Sequence, residues 1–230
     1  MADVTLTYKG ATVAELSDSG SKTLRTAGKF CEADIGVEYV KPSGGGDDPK
    51  ALIRSRLTGT LTEYVDDQLT TVVDAAFNQC FNLTILRLHG LTKLASSWLG
   101  NIAVTTLAFP NVTSGWTNYS FNGAKKLKAV DFSKIPKVVS NGFNGTSVMD
   151  TLVLRNSTVV PLENINAFNS TKFKDGSTGG TLYVPQAHIA AYQAATNWST
   201  ILSYANNKIM PIEGSIYETQ YADGTPIPTT

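Results

Sequence analysis

The chain has 230 residues, and its 19 Lys and Arg are balanced by 19 Asp and Glu. A concentrated cationic surface is what binding to a nucleic-acid backbone requires, so this balance argues against nucleic acid as a partner; the short run Lys125-Lys126-Leu127-Lys128 is expected to be a solvated turn. Charged residues are only 17%, below the roughly 25% of an ordinary globular chain, and Thr, Ser, Asn and Gly take their place, a surface suited to life outside a cell or within an assembly.

At the start, Met1-Ala2-Asp3-Val4 opens no basic stretch followed by an apolar run, so no signal peptide is expected. No segment approaches the ~18 apolar residues of a membrane span. A chain beginning in this way would be made in the cytoplasm and released by a route other than secretion, which leaves its Asn-x-Ser/Thr sequences as a by-product of composition. Val4, Leu6 and Tyr8 alternate with Thr5 and Thr7, the period of a strand. Val13 and Leu16 mark a second strand, and Ile35, Val37 and Tyr39 a third. Residues 1–41 are therefore expected to form a small β module. Pro42 to Pro49 enclose Gly44-Gly45-Gly46 and Asp47-Asp48, a flexible stretch between stiff ends, so residues 42–50 are expected to be a hinge.

From residue 51 the chain becomes periodic. One template recurs: an aromatic, then apolar residues six, nine and eleven positions later. Its copies are Phe77, Leu83, Leu86, Leu88; Trp98, Val104, Leu107, Phe109; Phe121, Leu127, Val130, Phe132; and Phe143, Met149, Leu152, Leu154. A degenerate fifth copy runs from Phe168 across a Gly- and Ser-rich insertion (174–180) to Leu182 and Val184. The closing apolar pair puts two side chains on one face of a short strand, while the aromatic comes from the opposite wall. One copy cannot bury its own face, but stacked copies can. The spacing of about 22 residues lies in the leucine-rich-repeat range.

Asn78, Asn122, Asn144 and Asn169 follow the aromatics and suit tight turns. Cys80, Ala124, Thr146 and Thr171 supply small side chains at the same bend, so Cys80 is expected to be a packing residue. Cys31 and Cys80 lack CxxC spacing or an adjacent His, and zinc is not expected; a disulfide stays open. Leu57, Leu61, Val65 and Val73 are expected to cap the array at its start. Ile189, Ala190, Tyr192, Ala195, Trp198 and Ile201 have helical spacing and are expected to cap its end. Residues 51–212 thus form the repeat domain with its caps, and 213–230 an extended tail in which Pro226 and Pro228 oppose regular structure.

Ala76-Phe77-Asn78-Gln79-Cys80-Phe81-Asn82-Leu83 resembles the AFxxCxxL signature of BspA-like leucine-rich repeats. Ser120 to Ala124 and Gly142 to Thr146 are weaker copies that depart from it at the Cys. The stretch from Leu182-Tyr183-Val184-Pro185 through Ala191-Tyr192 to Asn197-Trp198-Ser199 is similar to the termination of such arrays. Thr7 to Gly10, Thr23 to Lys29 and Ile35 to Tyr39 are similar to modules on phage and prophage structural proteins. These resemblances imply an α+β, mainly β fold: an N-terminal β module, a glycine hinge, and a short solenoid with a parallel sheet and a C-terminal helical cap. They further imply a virion component such as a tail fibre, head fibre or other appendage, homo-oligomeric and attached to other virion proteins through residues 1–41. A host surface protein or glycan, or a neighbouring subunit, is the partner expected for the repeat domain. A bacterial surface adhesin is the alternative.

The family supplies no catalytic residues, and no cofactor or metal is expected. His89 and His188 stand alone, outside any HExxH pattern, and Asp66-Asp67 and Asp47-Asp48 lie in loop-like segments; a glycan-degrading enzyme, with two carboxylates across a cleft, is the remote third reading. Two surfaces compete as the binding face. One is the outward side of the strands, where Arg87, Thr105, Ala108, Asp131 and Val153 would form a stripe. The other is the loop surface carrying Trp116 and Tyr119, unless Trp116 packs beneath its loop.

Overall fold

The computed structural model describes residues 62–72, 76–77, 80–175 and 178–229, together with the backbone of three strands nearer the N-terminus. Those strands are β1 (Val4–Tyr8), β2 (Ala11–Leu16) and β3 (Ile35–Tyr39). They pair antiparallel in the order β2-β1-β3. The proposed hinge, Asp47-Asp48, Cys31, Asn78, Leu57, Leu61 and Val73 lie outside the described residues.

The remainder is mixed α/β, built on a five-stranded parallel sheet with a few short helices. Strands β6 (Thr106–Phe109), β7 (Ala129–Phe132), β8 (Thr151–Leu154), β9 (Thr181–Val184) and β10 (Lys208–Pro211) lie side by side in chain order. Before them, β4 (Glu63–Val65) and β5 (Ile85–Arg87) form a separate parallel pair. The register aligns equivalent template positions: Leu107 opposite Val130, Val130 opposite Leu152, and Leu152 opposite Leu182. The insertion before β9 is therefore absorbed without a register slip, which matters because a one-residue slip would turn every inward side chain outward. Part of that insertion folds as a single helical turn, α1 (Lys172–Asp175).

Successive turns of chain are tied together away from the strands as well. Parallel bridges join Thr71 to Lys93, Lys93 to Ser114 and Val138 to Leu162. On the aromatic wall, the amide of Phe121 donates to the Gly142 carbonyl at 3.2 Å and that of Phe143 to Ala167 at 3.0 Å.

All sixteen template side chains are buried, none more than 3% exposed. Their aromatics form a continuous ladder. Phe77 meets Trp98 with ring centres 6.2 Å apart, Phe121 stacks on Phe143 at 5.2 Å, and Phe143 on Phe168 at 5.7 Å. The step from Trp98 to Phe121 runs through Phe109, at 5.9 and 6.0 Å. Such pairs add about 0.5–1.5 kcal/mol each beyond the area they bury.

The small residues expected at the bend are buried too. The Thr146 and Thr171 hydroxyls donate to the carbonyls of Phe143 and Phe168, at 2.6 and 2.8 Å. In the copies led by Phe121, Phe143 and Phe168 the left-handed backbone lies one position later than the Asn that follows the aromatic: Gly123, Gly145 and Ser170 have φ of +79°, +80° and +59°. Asn122, Asn144 and Asn169 occupy the half-buried place before it.

At the start of the array the inward side chain is Tyr64, fully buried and in register with Leu86, while Val65 faces the other side and is half-buried. This corrects the expectation for Val65, because the strand's period of two puts adjacent residues on opposite faces. At the far end the helical spacing becomes two short helices, α2 (Ile189–Ala194) and α3 (Trp198–Ser203), separated at Asn197, whose φ is +64°. They close the core by gripping the backbone of one residue on both sides. The Val160 amide donates to the Tyr192 hydroxyl at 2.9 Å, and the Trp198 indole N–H donates to the Val160 carbonyl at 2.7 Å. The following strand, β10, extends the sheet by one strand beyond the repeats.

Candidate binding face

Each strand of the sheet offers one outward side chain between its two inward ones. In register these are Ala108, Asp131, Val153, Tyr183 and Met210. This row was expected to be an open stripe. Instead Ala108, Asp131 and Val153 are buried, Asp131 and Val153 completely. Their cover is the C-terminal segment, residues 213–229, which turns back across the sheet.

That segment has local structure of its own. The Ser215 hydroxyl accepts from the Tyr217 amide and starts a short 3-10 turn, Ile216–Glu218. A tight hairpin follows: Gln220 bridges antiparallel to Pro226, the Ile227 amide donates to Thr219, and Gly224 turns the chain at φ +84°. Asp-Gly between short flanks is a strong hairpin signal, so Asp223-Gly224 was the feature in the sequence that marked this turn. The prolines limit the hairpin without preventing it.

Asp131 and Arg155 form the seat. Arg155 Nε donates to Asp131 Oδ1 at 2.9 Å, and Nη2 donates to Oδ2 at 2.7 Å. The rest of the guanidinium reaches the segment: Nη1 donates to the Tyr217 carbonyl at 2.7 Å and Nη2 to the Gln220 carbonyl at 2.9 Å. Asp131 Oδ2 also accepts the Ala222 amide at 3.1 Å. Burial pushes the Asp131 carboxyl above its ordinary value, against the opposing pull of Arg155 and the Ala222 amide. Aromatic contacts complete the seat. Tyr217 meets Tyr183 edge-on at 4.7 Å, and the Tyr221 ring lies beneath Arg155 at 5.2 Å and beside His89 at 5.1 Å.

The tip of the hairpin ends on His89, whose Nε2 lies 2.7 Å from Asp223 Oδ2. Burial raises the Asp223 pKa, but the bonds from His89 and Thr225 outweigh it and hold the carboxyl below its usual 3.8. The Thr225 hydroxyl donates to Asp223 Oδ1 at 2.6 Å and lies 3.4 Å from the same His89 nitrogen. A proton relay would need the acid on one ring nitrogen and the hydroxyl on the other. Here both groups meet Nε2, so the trio is a latch in form. Beside it, a cleft of about 380 Å³ lies between Pro226 and Pro228 on one side and Asn111 and Lys134 on the other.

The remaining candidates are dispersed. Arg87 is half-exposed and paired with Asp67 at 2.9 Å, and Thr105 is exposed. Tyr119 is 44% exposed with φ +72°. Trp116, by contrast, lies in the core, stacked on Phe132 at 5.0 Å and edge-on to Phe143 at 5.0 Å. Trp116 and Tyr119 therefore do not share a surface, and Asp131 is withdrawn from the exposed stripe because the C-terminal segment covers it. Asp66 is buried, and its carboxylate accepts the amides of Gln68 and Leu69 at 3.0 and 3.1 Å. His188 ends a short 3-10 turn in the cap. Among the described residues no cluster of three or more His, Cys, Asp or Glu could hold a metal ion, and no helix is long and apolar enough to cross a membrane.

No family model, curated protein or solved structure matches the chain.

Proposed function

We propose that the chain is a non-enzymatic structural protein of a phage particle, an exposed appendage such as a tail or head fibre. In this reading residues 51–212 are a BspA-like leucine-rich-repeat solenoid, the body that contacts a host surface protein or glycan or a neighbouring subunit. The observation that carries the proposal is the stack of parallel turns with every template side chain turned into one continuous core. Such a body spends its periodic residues on holding neighbouring turns together and leaves the connecting turns at the surface to make contacts. Asn-, Ser- and Thr-rich turns on that surface fit weak, repeated contacts, which many copies in one assembly would raise to useful avidity. The likeness of residues 7–39 to phage structural modules supports attachment through the N-terminal strands and favours a particle over a bacterial cell surface.

The test is location. Purified phage particles and uninfected host cells are probed by mass spectrometry and by an antibody against the repeat region. Recovery of the chain in the particles, in fixed ratio to the coat protein, is the expected result. Recovery on the surface of uninfected cells alone would replace the proposal with the adhesin reading.

A further inference from the structure

The outer face of the sheet already holds a peptide, and the way it holds that peptide says what else it can hold. Three of the polar contacts at the seat are made to the backbone of the C-terminal segment: Arg155 to the carbonyls of Tyr217 and Gln220, and Asp131 to the amide of Ala222. Side-chain selectivity comes from Tyr217 on Tyr183 and from Asp223 on His89. The segment buries its apolar side chains unevenly: Tyr217, Tyr221 and Ile227 are half-buried, whereas Ile216 is 63% exposed and Pro226 and Pro228 are exposed. The sheet beneath it is different. Its outward row includes Val153 and the ion-paired Asp131, both fully buried. Leaving that row uncovered would expose Val153 to water and give up the three bonds that Arg155 and Asp131 make to the segment, so the seat favours an occupant.

The connection to the segment passes through a single glycine. The last firmly packed residue before it is Ile212, 8% exposed, and Gly214 follows at φ +76° with nothing within 4 Å of where a Cβ would stand. Glu213 Oε2 still holds the body by accepting the Gln186 amide at 2.8 Å, so the pivot lies at Gly214, and turning there costs the bonds that the Ser215 amide and hydroxyl donate to the Ile212 carbonyl at 3.0 and 2.7 Å. A hinge joining a short self-contained element to a seat that recognises it is the arrangement from which identical chains exchange parts.

We infer that the sheet face formed by Asp131, Val153, Arg155 and Tyr183 is a peptide-binding surface that accepts the C-terminal segment of a second copy of this chain in place of its own. Copies held close together, as in any multimeric assembly, exchange their segments across neighbouring bodies and become linked. The inference goes beyond the particle assignment and does not depend on it.

The experiment uses the full chain and a fluorescent peptide of residues 213–230, read by anisotropy. The wild-type chain binds the peptide weakly, because its own segment competes. A chain carrying Tyr217→Ala and Asp223→Ala holds its own segment less firmly and should bind the peptide at least tenfold more tightly. Adding Tyr183→Ala, a change on the partly exposed rim of the seat, should return the affinity to the wild-type level or below. Arg155→Ala should do the same, with circular dichroism reporting whether that variant is folded. The inference is overturned if the weakened-segment chain binds no better than wild type, if Tyr183→Ala leaves binding unchanged, or if a scrambled peptide binds equally well.

Discussion

Asp131 on β7 and Arg155, just beyond the end of β8, close a two-pronged ion pair beneath the C-terminal segment, with side-chain exposures of 1% and 12%. The pair does two tasks at once, since the same guanidinium that neutralises Asp131 also binds two carbonyls of the segment. Removing one partner of a buried pair leaves the other charge desolvated and uncompensated, at a cost of about 3–5 kcal/mol. Arg155→Met is therefore expected to lower the unfolding free energy by that amount in urea titrations. The double variant Asp131→Leu, Arg155→Met removes both charges and should regain most of the loss. Equal destabilisation in the single and double variants would show that the charge pair is not what the buried face depends on.

The aromatic ladder makes a separate prediction. Phe121 is fully buried, with its ring near those of Phe109, Trp116 and Phe143. Phe121→Ala opens a cavity in the middle of the stack and should cost about 3–5 kcal/mol. Tyr119→Ala, two residues away on the exposed side, should stay within roughly 0.5 kcal/mol. Thermal and chemical unfolding of the pair of variants checks the contrast.

Gly142 supplies the room that Trp116 needs. A Cβ at Gly142 would stand 2.7 Å from the Trp116 Nε1 and 2.9 Å from two of its ring carbons. Those are atoms of a rigid, buried ring, so Gly142→Ala should displace the indole and cost about 1–3 kcal/mol through overpacking. A shift in tryptophan fluorescence at unchanged secondary structure is the expected signature.

The repeat body was legible from the amino-acid order because its inward positions recur at fixed spacing, and the sixteen residues picked on that ground are all buried. What escaped was set by single events rather than by period. Trp116 lies between template positions, in room that depends on Gly142, one copy later, having no Cβ. The face that Asp131 was expected to expose is closed by a segment some ninety residues further along, as the Ala222–Asp131 bond shows, and no local pattern at Asp131 announces that. The hairpin at Asp223-Gly224 did leave a signal, masked by two nearby prolines. Tyr64 rather than Val65 turns inward because the strand's phase is set by its pairing with Leu86, which sequence alone does not fix when both neighbours are apolar.

Alkali should act on the terminal cap. Burial pushes the Tyr192 phenol up to about 12, with the Val160 amide bond opposing. The unfolded chain ionises this phenol near 10 while the folded chain keeps it neutral, so stability is complete below pH 10 and is lost as pH rises from 10 to 12. At about 1.4 kcal/mol per pKa unit the loss is on the order of 3 kcal/mol. Burial also raises Tyr217 and Tyr221, which add in the same direction. Unfolding free energies measured from pH 9 to 12 should fall steeply for the wild type and clearly less for Tyr192→Phe, which is already weaker at pH 9 because the Val160 amide loses its acceptor.

The closed sheet face is tested most directly by hydrogen exchange at one amide, that of Ala222. Its acceptor is Asp131 on the body, not a group within the hairpin, so it is protected only while the segment is seated. In the wild-type chain, exchange at Ala222 followed by nuclear magnetic resonance should be slowed at least about a hundredfold relative to an unstructured peptide, and Arg155→Gln should remove most of that protection. Exchange of the wild-type Ala222 amide at the unstructured rate would contradict the account.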